Sequence, residues 1–258
     1  MKVVILAGGY GTRLSEYTDL IPKPMVKIGR IPILLHIMNI YSYFGHKEFY
    51  IATGYKSHII KKYFNLYLKN KFNIHNKINK NHDEYYIKKN NWKINLINTG
   101  IKTMTGGRLK RLKKFIQNES FLLTYGDGLC DVNINKLIKF HKINKKIISL
   151  TAVRPPARFG ALQLKGNKVI SFREKSKMDV GWINGGFFII KPEFLNYIKN
   201  DSTFLEREPL EKVANDNQLF AYKHEGFWQC MDTKRDRDYL ESLVKLKNIP
   251  WIKNKKNY

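Results

Sequence analysis

The stretch Leu6-Ala7-Gly8-Gly9-Tyr10-Gly11-Thr12-Arg13-Leu14 follows directly on the apolar run Val3-Val4-Ile5. Residues 2–7 therefore predict a strand buried on both faces, the habit of a parallel sheet. A glycine-rich turn after such a strand lets backbone N–H groups approach phosphate closely. In open α/β sheets, ligands collect at strand carboxyl ends. The spacing is not G-x-G-x-x-G, and no G-x-x-x-x-G-K-[ST] occurs, so neither a dinucleotide fingerprint nor a P-loop is indicated. Arg13 adds a planar cationic fork suited to phosphate oxygens. In Pro22-Lys23-Pro24-Met25 the flanking prolines restrict the backbone that carries Lys23.

Outward from this loop the pattern alternates. Apolar residues at helical spacing span 33–44 and stop at Gly45, a C-cap residue. Strands are predicted at 49–53, 93–98, 121–125 and 147–153, and helices at 57–66, 108–116 and 135–144. The Asn- and Lys-rich, weakly periodic stretch 69–91 reads as an insertion or mobile excursion. The alternation implies an α/β fold: a three-layer, mostly parallel, Rossmann-like sheet with helices on both faces. After Pro155-Pro156 a smaller mixed β region is expected, with strands at 161–164, 169–172, 185–190 and 219–224. Helices are expected there at 192–198 and 236–246. Residues 1–154 then form one α/β core, and residues 155–258 the C-terminal part of the same domain.

Composition narrows the class. The 258 residues are 43% hydrophobic, enough for a real core, and hold two cysteines, too few for a secreted disulfide scaffold. No apolar run approaches a membrane span. The chain reads as soluble, cytoplasmic and reducing. Lys+Arg total 47 against 21 Asp+Glu, a formal charge of +26. The basic residues are dispersed, densest at 69–93 and 245–256, and read as a solvated surface that draws in small anions. Neither nucleic acid nor membrane is an expected partner.

These motifs resemble the sugar-1-phosphate nucleotidyltransferases, whose signature begins Leu-Ala-Gly-Gly-x-Gly-Thr-Arg-Leu and continues to Pro-Lys-Pro-Met. Thr124-Tyr125-Gly126-Asp127-Gly128 and Ile183-Asn184-Gly185-Gly186-Phe187 extend the match. Thr105-Gly106-Gly107-Arg108, and Phe227-Trp228-Gln229 followed by Met231-Asp232-Thr233, are similar to the cytidylyl-transferring subgroup. The resemblance implies CTP and α-D-glucose 1-phosphate as substrates, CDP-glucose and pyrophosphate as products, and Mg²⁺ as cofactor. It also implies a homo-oligomer, with a hexamer as one candidate, and a place in bacterial surface-polysaccharide synthesis.

The same resemblance implies site roles. Leu6, Ala7, Gly8, Gly9, Tyr10, Gly11, Thr12 and Arg13 would wrap the nucleotide. Arg13 would neutralise the leaving β,γ-phosphates, and Lys23 would lie near the α-phosphate. Thr103 and Arg108 would contact the nucleotide, with Arg108 reading the pyrimidine edge, and Gly126 would let the backbone pass close to it. Asp127 and Asp232 would hold Mg²⁺; Glu174, Lys175 and Asn184 would hold the sugar phosphate. Arg13, Lys23 and Asp127 are the catalytic candidates.

The chemistry fits such a set. A sugar phosphate oxygen is already anionic, so in-line attack on the α-phosphorus needs no general base. Positioning and charge neutralisation suffice, and Mg²⁺ takes oxygen ligands, one or two of them carboxylates. If Asp127 and Asp232 share one ion, Cys130 and Cys230 are held near it. Chain reach puts their Cα atoms about 10–20 Å apart, and a reducing compartment leaves them unpaired. Tyr10 in the loop, residues 15–21, Ser176, Trp182 and Cys230 depart from the family pattern.

Overall fold

Alternate residues of the central strands face two different cores in the computed structural model, which describes residues 1–69, 74–78, 82–156, 161–173 and 181–252. Val3, Ile5 and Ala7 point with Phe49, Ile51, Leu122 and Phe187 towards helices Ile33–Tyr43, Ser57–Lys69 and Ile134–Asn144. Val4 and Leu6 point with Tyr50, Phe121, Leu123 and Phe188 the other way, towards helices Thr105–Arg111, Lys113–Ile116 and Glu208–Asn215. A strand buried on both sides needs apolar residues at every position, which is why its sequence lacks alternation. The result is three layers.

The main sheet has nine strands. In order they are Leu219–His224, Ile148–Val153, Ile183–Ile190, Phe121–Tyr125, Val3–Ala7, Glu48–Thr53, Trp92–Asn98, His82–Ile87 and Ile74–Ile78. Val3–Ala7 is central and parallel to both neighbours. Only Ile183–Ile190 and His82–Ile87 run against the common direction. The sheet is continuous across position 154, because Ile183–Ile190 and Leu219–His224 pair within it. Ala161–Lys165 and Lys168–Arg173 form a separate two-stranded hairpin.

Several local expectations are corrected. Within 69–91, the described residues build a β-hairpin that extends the main sheet. Asp83, Tyr85 and Ile87 alternate inward and are buried, with the Tyr85 ring 5.9 Å from that of Phe64. Asp83 meets Lys61 at 2.9 Å. The Lys and Asn residues that flank the strand in sequence hid this period of two. The helix expected at 108–116 is two short ones, Thr105–Arg111 and Lys113–Ile116. Pro192–Tyr197 is a 3₁₀ segment, and helix Glu208–Asn215 was not anticipated.

The C-terminal segment is pinned through a buried imidazole. His36 Nε2 lies 2.9 Å from the Ile28 carbonyl, and Trp251 Nε1 donates to His36 Nδ1 at 3.1 Å. Both bonds are met by the neutral tautomer protonated on Nε2. Burial lowers the His36 pKa from 6.5 to about 4, against smaller opposing effects from Ile28 and Glu241. A depressed folded-state pKa means the native state resists protonation. Its stability contribution is therefore complete above pH 6.5 and lost as pH falls towards 4. The loss expected from His36 is about 3 kcal/mol. Urea unfolding at stepped pH checks this: the non-titrating His36→Gln variant should decline less over that window, and an equal decline would place the effect elsewhere.

Candidate active site

The Val3–Ala7 strand delivers its carboxyl end beside that of Phe121–Tyr125, since the two are parallel neighbours. Gly126 N donates to the Leu6 carbonyl at 3.0 Å, and a Cβ on Gly126 would stand 3.0 Å from both that oxygen and Pro24 Cγ. Glycine lets these three segments close together without displacing one another, and Asp127 follows it. Lys23–Met25 is a 3₁₀ turn entered from Pro22, with Pro24 in its first turn. Lys23 is thereby held with only 11% of its side chain exposed.

Asp232 arrives from more than two hundred residues away. The short strands Gly128–Cys130 and Trp228–Cys230 pair antiparallel, and Met231 N donates to the Asp127 carbonyl at 2.9 Å. The helix Lys234–Lys245 begins just beyond, capped by Thr233 in a reciprocal box with Asp236. Thr233, not Asp232, is the cap. Asp232 is left free to face Lys23.

Lys23 Nζ donates to Asp127 Oδ2 at 2.7 Å and to Asp232 Oδ1 at 2.6 Å; Arg13 Nη1 donates to Asp232 Oδ2 at 2.7 Å. Burial alone would lower the Lys23 ammonium, but Asp127 and then Asp232 overrule it and raise its pKa. Burial would likewise lift Asp232, yet hydrogen bonding and charge from Lys23, then Arg13, pull it below the usual carboxylate value. Two carboxylates and two cations thus meet at one point beside the glycine loop. Carboxylate oxygens converging within 2.7 Å of a single ammonium form a hard-oxygen donor set, which fits a divalent ion such as Mg²⁺.

Cys130 stands opposite Trp228, and Cys230 opposite Gly128. The two cysteines form no disulfide and lie diagonally across one ribbon. Ordinary sheet spacing makes that about 7–8 Å, closer than chain reach alone suggested. Burial, then Asp232 and Asp127, push the Cys230 thiol up to about 12, so it is an inert neighbour at neutral pH.

Arg108 is buried beneath the loop. It donates to the carbonyls of Gly8 and Gly100 at 2.7 Å, Thr53 at 3.2 Å and Ile101 at 3.3 Å, and to the Thr99 hydroxyl at 2.8 Å. A Cβ on Gly8 or Gly54 would fall 2.2 or 2.3 Å from its Nη1. Those two glycines make room for the guanidinium, which ties the loop to the ends of two neighbouring strands. Thr53, Gly54 and Thr99 were not among the sequence candidates. The Thr53-Gly54 step at a strand end was their available signal.

Of the remaining candidates, Leu6, Ala7, Gly8 and Thr103 are buried, whereas Gly9, Tyr10, Thr12 and Arg13 are exposed. Gly11 is left-handed, φ 70°, which suits glycine, and a Cβ there would sit 2.8 Å from Thr18 Cγ2. The Tyr10 ring packs beside Tyr55, centroids 5.1 Å apart. Asn184 Nδ2 reaches the Tyr125 hydroxyl at 3.5 Å, and its Oδ1 accepts from Gly186 N at 2.8 Å. Trp228 Nε1 donates to the Gly185 carbonyl at 2.7 Å, joining the ribbon to this segment. Glu174 and Lys175, like Ser176, lie outside the described residues.

The nucleotidyl transferase family model matches residues 2–247. The chain belongs to that family. Among curated nucleotidyl transferase relatives, it is 49% identical to the glucose-1-phosphate cytidylyltransferase of Salmonella typhimurium over 253 residues, 97% of this chain and 98% of that one. It is 41% identical to a probable glucose-1-phosphate cytidylyltransferase of Bacillus subtilis, covering 92% and 93% of the two chains. Solved folds agree. A putative glucose-1-phosphate thymidylyltransferase from Bacillus anthracis superposes with a TM-score of 0.70 at 18% identity, covering 95% of each chain. A UDP-glucose pyrophosphorylase bound to UDP-glucose gives 0.69 at 16%, covering 95% of this chain and 98% of that one. At these identities the superpositions establish the nucleotidyl transferase fold. Among the described residues, no helix is long and apolar enough to cross a membrane.

Proposed function

We propose that this nucleotidyl transferase makes CDP-glucose and pyrophosphate from CTP and α-D-glucose 1-phosphate. The observation that carries the chemistry is the bridge from Asp127 through Lys23 to Asp232 beside the glycine loop. The choice of substrates rests on likeness to the cytidylyltransferases over nearly the whole chain.

In this reading the sugar phosphate oxygen attacks the α-phosphorus as the bond to pyrophosphate breaks. Lys23 swings from the carboxylates to the α-phosphate, and Arg13, already the most exposed of the four, meets the departing pyrophosphate. Asp127 and Asp232 would hold a divalent ion such as Mg²⁺, which when bound would neutralise phosphate oxygens. Residues 6–13 offer backbone N–H groups to the triphosphate. Arg108 and Thr103 serve the nucleotide, Arg108 by fixing the carbonyls of Gly8, Thr53 and Gly100 beside the glycine loop. Asn184, with Glu174 and Lys175, serves the sugar phosphate. The assembly is a homo-oligomer.

Pyrophosphate release across CTP, UTP, dTTP and GTP, each paired with several sugar 1-phosphates, tests the assignment. CTP with glucose 1-phosphate should lead the next pair by about 10²-fold, because a site that pairs with one base edge leaves polar groups unpaired with another. Equal use of UTP or dTTP would overturn the choice of base and leave the family standing.

A further inference from the structure

The Thr105-Gly106-Gly107-Arg108 motif has a structural explanation of its own. A Cβ on Gly107 would stand 2.4 Å from the Asp201 carbonyl oxygen, and one on Gly106 would stand 2.8 Å from that of Thr203. The two glycines therefore admit a strap, residues 201–206, directly against the start of helix Thr105–Arg111. Met104 N donates to the Asp201 carbonyl at 2.8 Å, and Gly106 N to that of Thr203 at 3.0 Å. Arg111 grips the Asp201 carboxylate with two bonds of 2.9 and 2.5 Å. Leu205 N donates to Thr105 Oγ1 at 2.9 Å, which settles the end of the strap.

That end presents Glu206. Its Oε2 accepts from Thr105 Oγ1 at 2.7 Å, and its Oε1 accepts from the Tyr125 hydroxyl at 2.8 Å. Tyr125 immediately precedes Gly126-Asp127. Its hydroxyl oxygen in turn faces Asn184 Nδ2 at 3.5 Å, and Gly186, φ 80°, lies so close to the Tyr125 ring that a Cβ would stand 2.7 Å from Cδ2. Burial, then Glu206, raise the Tyr125 pKa, so the phenol stays protonated and donates. One chain of polar contacts thus runs from Thr105, on the nucleotide side, through Glu206 and Tyr125 to Asn184, on the sugar side.

We propose that Glu206 is a positioning residue that locks Tyr125 and Asn184 to the nucleotide-side helix, setting the sugar phosphate in line with the nucleotide. This rests on the reading of Asn184 as a sugar-side residue in the proposed function. Among the described residues, Glu206 is the one carboxylate that touches both Thr105 and Tyr125, and it is exposed, so its bonds contribute geometry more than core stability. The transfer is sensitive to such geometry, since misplacement by about 1 Å can cost 10²-fold in rate.

The test separates the two substrates. The preferred substrate pair is first established for the parent by the panel above, and the cycle is then run with that pair, so failure of the substrate reading is visible on its own. Glu206→Ala should raise the KM for the sugar phosphate and lower kcat, each by about 10-fold. Nucleotide affinity, measured by direct titration, should change less than about 3-fold, the scale of a lost weak contact. Glu206→Gln, which can still bond both hydroxyls, should recover most of the loss. Tyr125→Phe should give a similar defect, and the double variant little more, because residues acting as one unit are not additive. An unchanged sugar phosphate KM, an equal loss of nucleotide affinity, or full additivity of the two substitutions would each overturn the proposal.

Discussion

Replacing Lys23 with methionine is expected to cut turnover by about 10²–10³, the usual cost of removing one oriented charge-stabilising group, while tightening divalent-metal binding in the absence of nucleotide. The two effects have one cause. The ammonium sits 2.7 Å from Asp127 and 2.6 Å from Asp232, on the same lone pairs a metal would use. A cation entering the parent must displace it; in Lys23→Met it meets two carboxylates, of which Asp232 alone keeps its contact with Arg13. Their mutual repulsion then favours any ion that bridges them. Mn²⁺, read by its electron paramagnetic resonance signal, should bind the variant about 10-fold or more tightly than the parent, a difference of about 1.4 kcal/mol. Mg²⁺ should also raise the thermal midpoint of the variant more than that of the parent, because the ion binds the folded state alone. An unchanged Mn²⁺ affinity would mean that Asp127 and Asp232 do not form the metal site.

Arg108→Met is expected to act on a different quantity, the folded loop itself. Its guanidinium supplies donors to four carbonyls and one hydroxyl gathered from Gly8, Thr53, Thr99, Gly100 and Ile101. Methionine fills similar space and leaves those acceptors without that donor in a largely buried setting. The expected loss is about 3 kcal/mol, or roughly 5–10 °C in the unfolding midpoint. Burial, then the nearby Arg111, bring the Arg108 pKa down to about 10, so it remains charged at neutral pH. Arg108→Lys should not rescue, because one ammonium cannot reach acceptors spread along the guanidinium's edges. Calorimetry with CTP titration checks this. A lysine variant with the parental midpoint and CTP affinity would show that the fork is dispensable.

The contrast between these two residues shows how much of the site was legible beforehand. Lys23 was singled out by its flanking prolines, and the structure does hold it in a proline-bounded turn at the loop. Arg108 was singled out as a nucleotide contact, yet its guanidinium is occupied by backbone carbonyls. No one-dimensional pattern reveals that Gly8 and Gly54 open a space for it. Glu206 carried no signal at all, because nothing in its immediate sequence marks it as a partner of Thr105 and Tyr125.

The same division holds for the fold. The central strand, the glycine loop, the alternation of strand and helix and hence the layered α/β class are all legible in the sequence. All of these follow from local periodicity and backbone restriction, which act over a few residues. The pairing of Ile74–Ile78 with His82–Ile87 is not legible there, since burial of Tyr85 and Ile87 exists only once a sheet edge and Phe64 are there to cover them. The antiparallel insertion of Ile183–Ile190 between two strands of the opposite direction is not legible there either. That Asp232 joins Asp127 on Lys23 is visible only once the chain is folded. That meeting depends on a three-residue ribbon joining Gly128–Cys130 to Trp228–Cys230. Pairing between strands so distant in the chain is set by the packing of the whole domain, because the entropy of closing so long a loop is offset only when the rest of the core forms with it.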